Sequence, residues 1–451
     1  MSNIAQPSRP FGGVTNRQIL ATVSASCLGW ALDLFDLFVL LYVAPVIGKL
    51  FFPSTHAMLS LAAVYASFAV TLLMRPIGSA LFGSYADRHG RKGAMMVAVI
   101  GVGVATALFG TLPTVAQVGV FAPILFLLLR LVQGIFVGGV VASTHTIGTE
   151  SVPPAWRGAV SGLIGGGGAG VGALLASLVY LLASSVFPGQ AFEDWGWRCM
   201  FFTGIISSVL GLFVFSSLEE SPMWKQLKSE AAPGVARPKV EAPLATLFSS
   251  KWRGVLFVNL LLTIGGGSGY YLTSGYLPSY LKLVNHAPNA TAGVILALSS
   301  VGVIVAAVLA GHLSEIIGRK RAFIYIGLVR LVLFPVLFLT MAQAQSVAAI
   351  AAYAVVLSML GTAGYAPTLI FLNERFPTAI RATGTGLSWN IGFAIGGMMP
   401  TAVSLVAKDA SQLPMTLAIF AGAISVIFLV GAFIVPETIG KLDNGTAREA
   451  A

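Results

Sequence analysis

Residues 29–43 read GWALDLFDLFVLLYV, and Asp33 and Asp36 are the only charged side chains in that run. Two positions three apart on a helix differ by about 300° in direction, so the sides they occupy overlap and one cavity can receive both. An ionised carboxylate near the centre of a bilayer costs at least roughly 2.5 kcal/mol on insertion scales, which favours either a cationic partner or a bound proton. Close carboxylates also repel each other, so a proton on one relieves both. The chemistry this pair suits is reversible proton binding. Its structural alternative is a permanent ion pair between one aspartate and Arg75 or Arg130.

Arg130 opens the segment RLVQG, and Gln133 follows three residues on, so guanidinium and amide share a helix side. A guanidinium holds a carboxylate with two parallel hydrogen bonds, which suits Arg130 to an anionic substrate or to the aspartates. Tyr270, Tyr271 and Tyr365 are candidate substrate contacts, able to stack on a flat solute or donate a hydroxyl; ordinary packing is the alternative for each. Trp389 and Asn390 stand in the same position but outside the principal assignment. Arg330, deep in its own apolar run, is expected to find a structural partner or to snorkel toward an interface. His145 is a proton relay or a hydrogen-bonded packing residue. No spacing of His, Cys, Asp and Glu fits a metal site and no nucleophile–base set is visible, so neither a metal, a cofactor nor an enzyme activity is expected.

These residues need helices inside a membrane. Of 451 residues 56% are hydrophobic and 9% charged, a composition that no water-facing surface of this length would tolerate. Apolar stretches of about 20 residues, each long enough to cross the hydrocarbon core as a helix, recur along the chain. Twelve spans are expected, at 18–48, 58–82, 93–111, 120–148, 158–185, 199–217, 253–281, 291–313, 322–341, 346–373, 383–407 and 414–436. Strand alternation is absent, which argues against a barrel. The polar start of the chain has no cleavable-signal pattern, so the first span is expected to remain as an anchor. Cys27 and Cys199 fall in or beside spans and point to no disulfide framework.

The net charge of +10 would suit a nucleic-acid partner only if it were gathered in a soluble basic module. It is not. With both termini on one side, the loops of that side hold about 19 Lys and Arg and the opposite loops about four, which places the termini and the middle loop in the cytoplasm.

The chain also repeats itself. GSYADRHGRK from Gly83 returns as GHLSEIIGRK from Gly311, and ESVPPAWRGAVSGL from Glu150 returns as ERFPTAIRATGTGL from Glu374. Gly162, Gly168 and Gly172 map onto Gly386, Gly392 and Gly396 by the same 224-residue offset that relates Glu150 to Glu374. Two homologous six-helix bundles follow, with a site between them near the midplane. The expected division is a tail at 1–17, bundles at 18–217 and 253–436, a linker at 218–252 and a tail at 437–451. Within the fifth span Gly162, Gly166 and Gly170 fall four apart and clear one face for close helix packing. That run is mid-membrane with no nearby Lys-Ser/Thr, which argues against a nucleotide loop.

The GSYADRHGRK loop and its second copy, RLVQG, the two ExxPxxxR-like segments, EESP at 219–222 and PET at 436–438 together resemble the major facilitator superfamily over essentially the whole chain. LDLFDLF and RPIGSALFG further resemble its proton-coupled carboxylate symporters, of the sialate and lactate, aromatic-acid or metabolite types. The resemblance implies an all-α membrane fold of twelve helices in two pseudo-symmetric bundles, with helices one, four, seven and ten lining the cavity. It also implies a gate latch formed by Gly83, Asp87, Arg88, Gly90 and Arg91 and, in the second half, by Gly311, Glu315 and Arg319. Charge orientation of the loop alone is the alternative. Glu315 in place of aspartate implies a weaker or displaced contact. Glu150 with Arg157, and Glu374 with Arg381, are expected to pair within a loop or to reach the opposite latch.

The function expected is proton-coupled uptake of a small organic anion, a mono- or aromatic carboxylate, by alternating access in a bacterial inner membrane, with lipid as surroundings and no obligate protein partner. The segment at 158–185 lacks the proline of many drug antiporters, which lowers the alternative of a proton-driven exporter. A non-transporting sensor is a third reading, disfavoured by a middle loop of about 35 residues.

Overall fold

The computed structural model describes residues 16–89, 91–138, 149, 152–216, 250–376 and 378–441. Ten of its helices are long and apolar enough to cross a membrane, and two shorter apolar ones, Met96–Phe109 and Phe121–Val137, complete the expected set. In chain order they are α1 (Asn16–Tyr42), α2 (Ala57–His89), α3 (Arg91–Phe109), α4 (Phe121–Val137), α5 (Pro154–Val186) and α6 (Phe192–Phe213). The second half holds α7 (Trp252–Leu283), α8 (Asn289–Ile317), α9 (Arg319–Gln343), α10 (Val347–Arg375), α11 (Thr378–Val406) and α12 (Leu413–Ile434). Leu20, Leu182, Phe213, Phe257, Ile316 and Val332 are among the large apolar side chains left exposed, the surface a helix bundle presents to lipid.

The packing of the first half returns in the second with every helix number raised by six. Within the N-terminal bundle α1 packs on α5, α2 on α4 and α3 on α6; within the C-terminal bundle α7 packs on α11, α8 on α10 and α9 on α12. Between bundles, α5 packs on α8 and α11 on α2, again exchanged by the same shift. The glycines follow suit. Gly168 and Gly172 face α1, with Cys27, Trp30, Ala31 and Phe35 as neighbours, whereas Gly392 and Gly396 face α7 at Thr263, Gly267 and Ser268.

At the seam of α5 with α8, a Cβ on Gly158, Gly162 or Gly166 would overlap Gly311 or Ala307, and one on Gly170 would overlap Val303 or Ile304. The glycine face expected in the fifth span therefore lies between the bundles, where backbone meets backbone.

Four spans depart from regular helix. Residues Leu163–Gly167 of α5 and Phe192–Gly196 of α6 form π-turns. In α7 a third π-turn, Tyr271–Gly275, is followed by Leu277–Leu283. α10 is broken outright between Val347–Ala363 and Thr368–Arg375. The irregular stretches of α7 and α10 lie beside each other, with Gly361 against Thr273.

Candidate functional site

Asp33 and Asp36 are both buried, and both line a crevice of about 10 Å³ together with Gly29, Leu32, Val99, Val102 and Ser207. Space for a single water needs about that volume. The crevice opens toward α3 and α6 and so lies inside the N-terminal bundle. Asp33 pairs with Arg75 of α2, Nη2 to Oδ2 at 3.4 Å, leaving Asp33 Oδ1 and Arg75 Nε without partners. Asp36 accepts from the Ser207 hydroxyl at 3.3 and 3.4 Å. Of the two cationic partners open in the sequence, Arg75 takes Asp33.

Arg130 is fully buried between the rings of Phe109 and Phe126, with its guanidinium carbon 4.1 and 5.2 Å from their centroids. Its Nη1 donates to Gln133 Oε1 at 2.6 Å, and the Gln133 amide donates in turn to the Thr106 hydroxyl at 2.8 Å. Thr106 lies within reach of Asp36, so a polar chain runs from Arg130 through Gln133 and Thr106 to the acid. Arg130 and Gln133, expected as substrate ligands, thus turn toward α3 and the acid crevice. The reason is rotational: the face of α4 that carries both is the one packed on α3, so spacing alone joined them to each other but not to the tyrosines.

Tyr270, Tyr271 and Tyr365 do come together, at a seam of aromatic rings between the bundles. Tyr270 is 5.0 Å from Tyr365 and 5.6 Å from Tyr271, centroid to centroid. Phe38 of α1 meets Tyr270 at 6.1 Å, and Phe68 of α2 meets Tyr271 at 5.3 Å. Trp389 and Phe393 of α11 stack at 3.9 Å and both touch Tyr365, while Trp30 of α1 reaches Trp389 at 5.9 Å. Eight rings from five helices therefore face one another, four of them absent from the sequence-based assignment: Trp30, Phe38, Phe68 and Phe393. An aromatic in a membrane helix has no signal in sequence that separates a ligand wall from packing. Tyr271 also lies within electrostatic reach of both Asp33 and Arg75, which joins the aromatic seam to the acid crevice.

Contacts cross between the bundles at both ends of this seam. On the side of the α1–α2 and α7–α8 connections, Tyr65 stacks on Tyr276 at 5.0 Å and its hydroxyl meets Ser279 at 2.9 Å. At the other end Glu315 of α8 accepts from the backbone N–H of Gly158 at 3.0 Å, across the bundles. Glu315 is held by Arg319 at 2.7 Å, and Arg319 also reaches Ser314 at 2.7 Å and Glu374 at 3.0 Å. Glu374 therefore joins the Glu315–Arg319 cluster of its own bundle, and Thr438 donates to it at 2.7 Å. Gly311 forms part of the α5 seam beside this cluster, and Arg157 is buried at the start of α5.

Gly90, Glu150 and His145 lie outside the described residues, as do the side chains of Asp87, Arg88, Arg91 and Arg381 and the position of Gly83 in its packing.

Beyond α12, Glu437 accepts backbone N–H groups from Arg319, Lys320, Thr438 and Ile439 at 2.9 to 3.1 Å. Burial alone would push its carboxyl up, but those four donors outweigh burial and hold it below the ordinary glutamate value.

Arg330 is fully buried and does not snorkel. It crosses the C-terminal bundle from α9 to donate from Nη2 to the Gly265 carbonyl of α7 at 3.0 Å. Phe334 and Phe428 each lie 4.9 Å from its guanidinium carbon. Among the described residues no group of His, Cys, Asp and Glu is arranged to hold a metal.

The family described as "Sugar (and other) transporter" matches residues 21–443. The chain is 27% identical over 441 residues to a proline/betaine transporter of Salmonella typhimurium, covering 97% of this chain and 87% of the relative. It is 30% identical over 433 residues to a putative proline/betaine transporter of Staphylococcus aureus, covering 94% and 90%. Among solved structures, the proton:xylose symporter XylE of the major facilitator superfamily superposes with a TM-score of 0.72 at 18% identity, over 96% of this chain and 99% of that one.

Proposed function

The chain belongs to the sugar (and other) transporter family and is a multi-pass secondary transporter of the major facilitator type; from that premise we propose that it takes up a small zwitterionic carboxylate together with protons. The observation that carries this reading is the seam of eight rings backed by the Asp33–Arg75 pair at Tyr271. Aromatic faces attract a desolvated ammonium through their quadrupoles, and groups of rings are a recurring way to bind quaternary ammonium. The ring faces offer a simple aliphatic anion no comparable attraction. The names of the relatives, proline/betaine transporters, agree with a solute that carries an ammonium as well as a carboxylate.

In the cycle proposed, the basic loops face the cytoplasm of a bacterial inner membrane and the Tyr65–Tyr276 end opens outward. The solute enters among the rings and a proton binds at the Asp33/Asp36 pair, which weakens the hold of Asp33 on Arg75 and of Asp36 on the Arg130 chain. Arg75 and the Arg130 chain are then held less tightly within the N-terminal bundle. The bundles rock on the glycine seam, the Glu315–Gly158 contact opens, and solute and proton leave inward. The ion gradient supplies the free energy, so no nucleotide is consumed.

The test is uptake into proteoliposomes of labelled trimethylglycine, proline and plain carboxylates, with and without an inward proton gradient. Gradient-dependent accumulation of the zwitterions and little of the plain acids is the expected result. Accumulation of plain acids alone restores the anion reading, and outward pumping of aromatic compounds restores the exporter.

A further inference from the structure

Neither the acid crevice nor the ring seam gives Arg330 a task. It has no exposure, and among the described residues no carboxylate comes within ion-pair distance of it. Its Nε and Nη1 make no hydrogen bond. An arginine at membrane depth is costly to keep without a counter-charge, so an unpaired one marks a place where an anion arrives from elsewhere.

The surroundings say which anion. The guanidinium lies in a notch made by Gly269 of α7 and Gly364 of α10, where a methyl group on either would overlap it. The next residue along each helix is a seam tyrosine, Tyr270 or Tyr365. The hydroxyls of Tyr270, Tyr365, Thr362 and Thr368 are likewise buried without a hydrogen-bond partner of normal geometry. All four sit at the irregular stretch of α7 or the break in α10. The stretches of α7 and α10 that form the notch therefore carry buried hydroxyls able to donate beside the guanidinium's helices, and among the described residues no ionised acceptor faces Arg330, which suits a carboxylate. Interrupted helices flank solute sites in transporters for the same reason, because the break frees polar groups at the midplane.

We propose that Arg330 is the carboxylate anchor of the transported solute, reached through the glycine notch at the α7–α10 breaks while the ammonium end lies among the rings. The Arg130 chain is then left to the proton. This rests on the reading of the solute as a carboxylate, but not on its also carrying an ammonium.

The experiment measures inhibition of trimethylglycine uptake in proteoliposomes by unlabelled trimethylglycine and by its carboxamide, which keeps the ammonium and loses the negative charge. Wild-type protein should prefer the acid. Arg330→Gln should weaken the acid by roughly 30-fold or more, the loss typical of removing one partner of a buried charged hydrogen bond, and change the amide by less than about 3-fold. Arg330→Lys should restore part of the preference, since it keeps the charge but not the planar fork. Equal losses for acid and amide, or discrimination left intact, overturn the proposal. If Arg330→Gln fails to fold, Arg330→Lys decides alone: unchanged discrimination overturns the assignment. Wild-type protein that carries a plain acid but ignores trimethylglycine refutes the zwitterion reading only, and Arg330→Gln must then abolish discrimination between that acid and its amide. Protein that carries no carboxylate in either series refutes both.

Discussion

The interiors of the two bundles share a helix arrangement and differ in charge. In the N-terminal bundle Asp33 has Arg75, and Asp36 has Ser207 and the chain through Thr106 and Gln133 to Arg130. In the C-terminal bundle the equivalent space between α7, α9, α10 and α12 holds, among the described charged residues, Arg330 alone, against glycines and phenylalanines. Acids beside cations can trade a proton without moving far, because either protonation state leaves some charge compensated. A cation without an acid has no such freedom and can only wait for an anion. In the proposed cycle the repeat serves motion, and its two copies divide proton and solute between them.

Replacing the acids breaks the comparison most severely. Asp36→Asn is expected to abolish accumulation of solute above the external concentration under an inward proton gradient, while exchange of labelled for unlabelled solute persists. Asp36→Asn vesicles that still concentrate solute in proportion to the gradient would remove Asp36 from coupling. Asp33→Asn should uncouple as well, and in addition leave Arg75 without its partner.

Next in size is a contrast in stability between the two arginines. Arg130→Met breaks a buried network from one side and is expected to cost about 3–5 kcal/mol, read as a lower thermal midpoint of the purified protein. Arg330→Met strands no acid and loses one hydrogen bond to a carbonyl, so its change should stay within about 1 kcal/mol. Equal destabilisation by the two would mean that Arg330 has a counter-charge after all.

A smaller effect sharpens the picture at the end of the C-terminal bundle. Glu437 has a depressed carboxyl in the folded chain, so the stability it contributes is present above the unfolded glutamate value of about 4.3 and is lost as pH falls through the folded value. Glu437→Gln is expected to cost no more than about 1 kcal/mol at neutral pH, given its partial exposure, and to flatten the acid limb of the stability curve below about pH 4. A pH–stability profile of wild type and variant checks both.

Most of the helix plan was legible because length and apolarity decide it. The expected sixth span, 199–217, starts late, since Glu193 and Asp194 in the π-turn at Phe192–Gly196 break the apolar run that marks a span. The repeat was legible through its glycines, whose offsets reappear as matched contacts on α1 and α7. What sequence could not supply was helix rotation. Asp33 and Asp36 line one space, but that space faces α3, and Arg130 with it, a fact that depends on how α4 rolls against its neighbour. Ser207 and Thr106 carry no pattern, being single hydroxyls in apolar helices. For Arg330 the depth was evident, while its direction depends on two glycines, at 269 and 364, that only folding brings together.

Glu437 and Thr438 tie the exit of α12 to the start of α9 and, through Glu374, to the end of α10. All three helices belong to one bundle, so this strap turns with that bundle as a single block and does not span the moving joint. A spectroscopic label placed just past it, at 439–441, would consequently report the swing of the whole block without the slack of a free tail. Paired with a second label on the α5 side near Gly158, it would make a molecular ruler for the opening of that end.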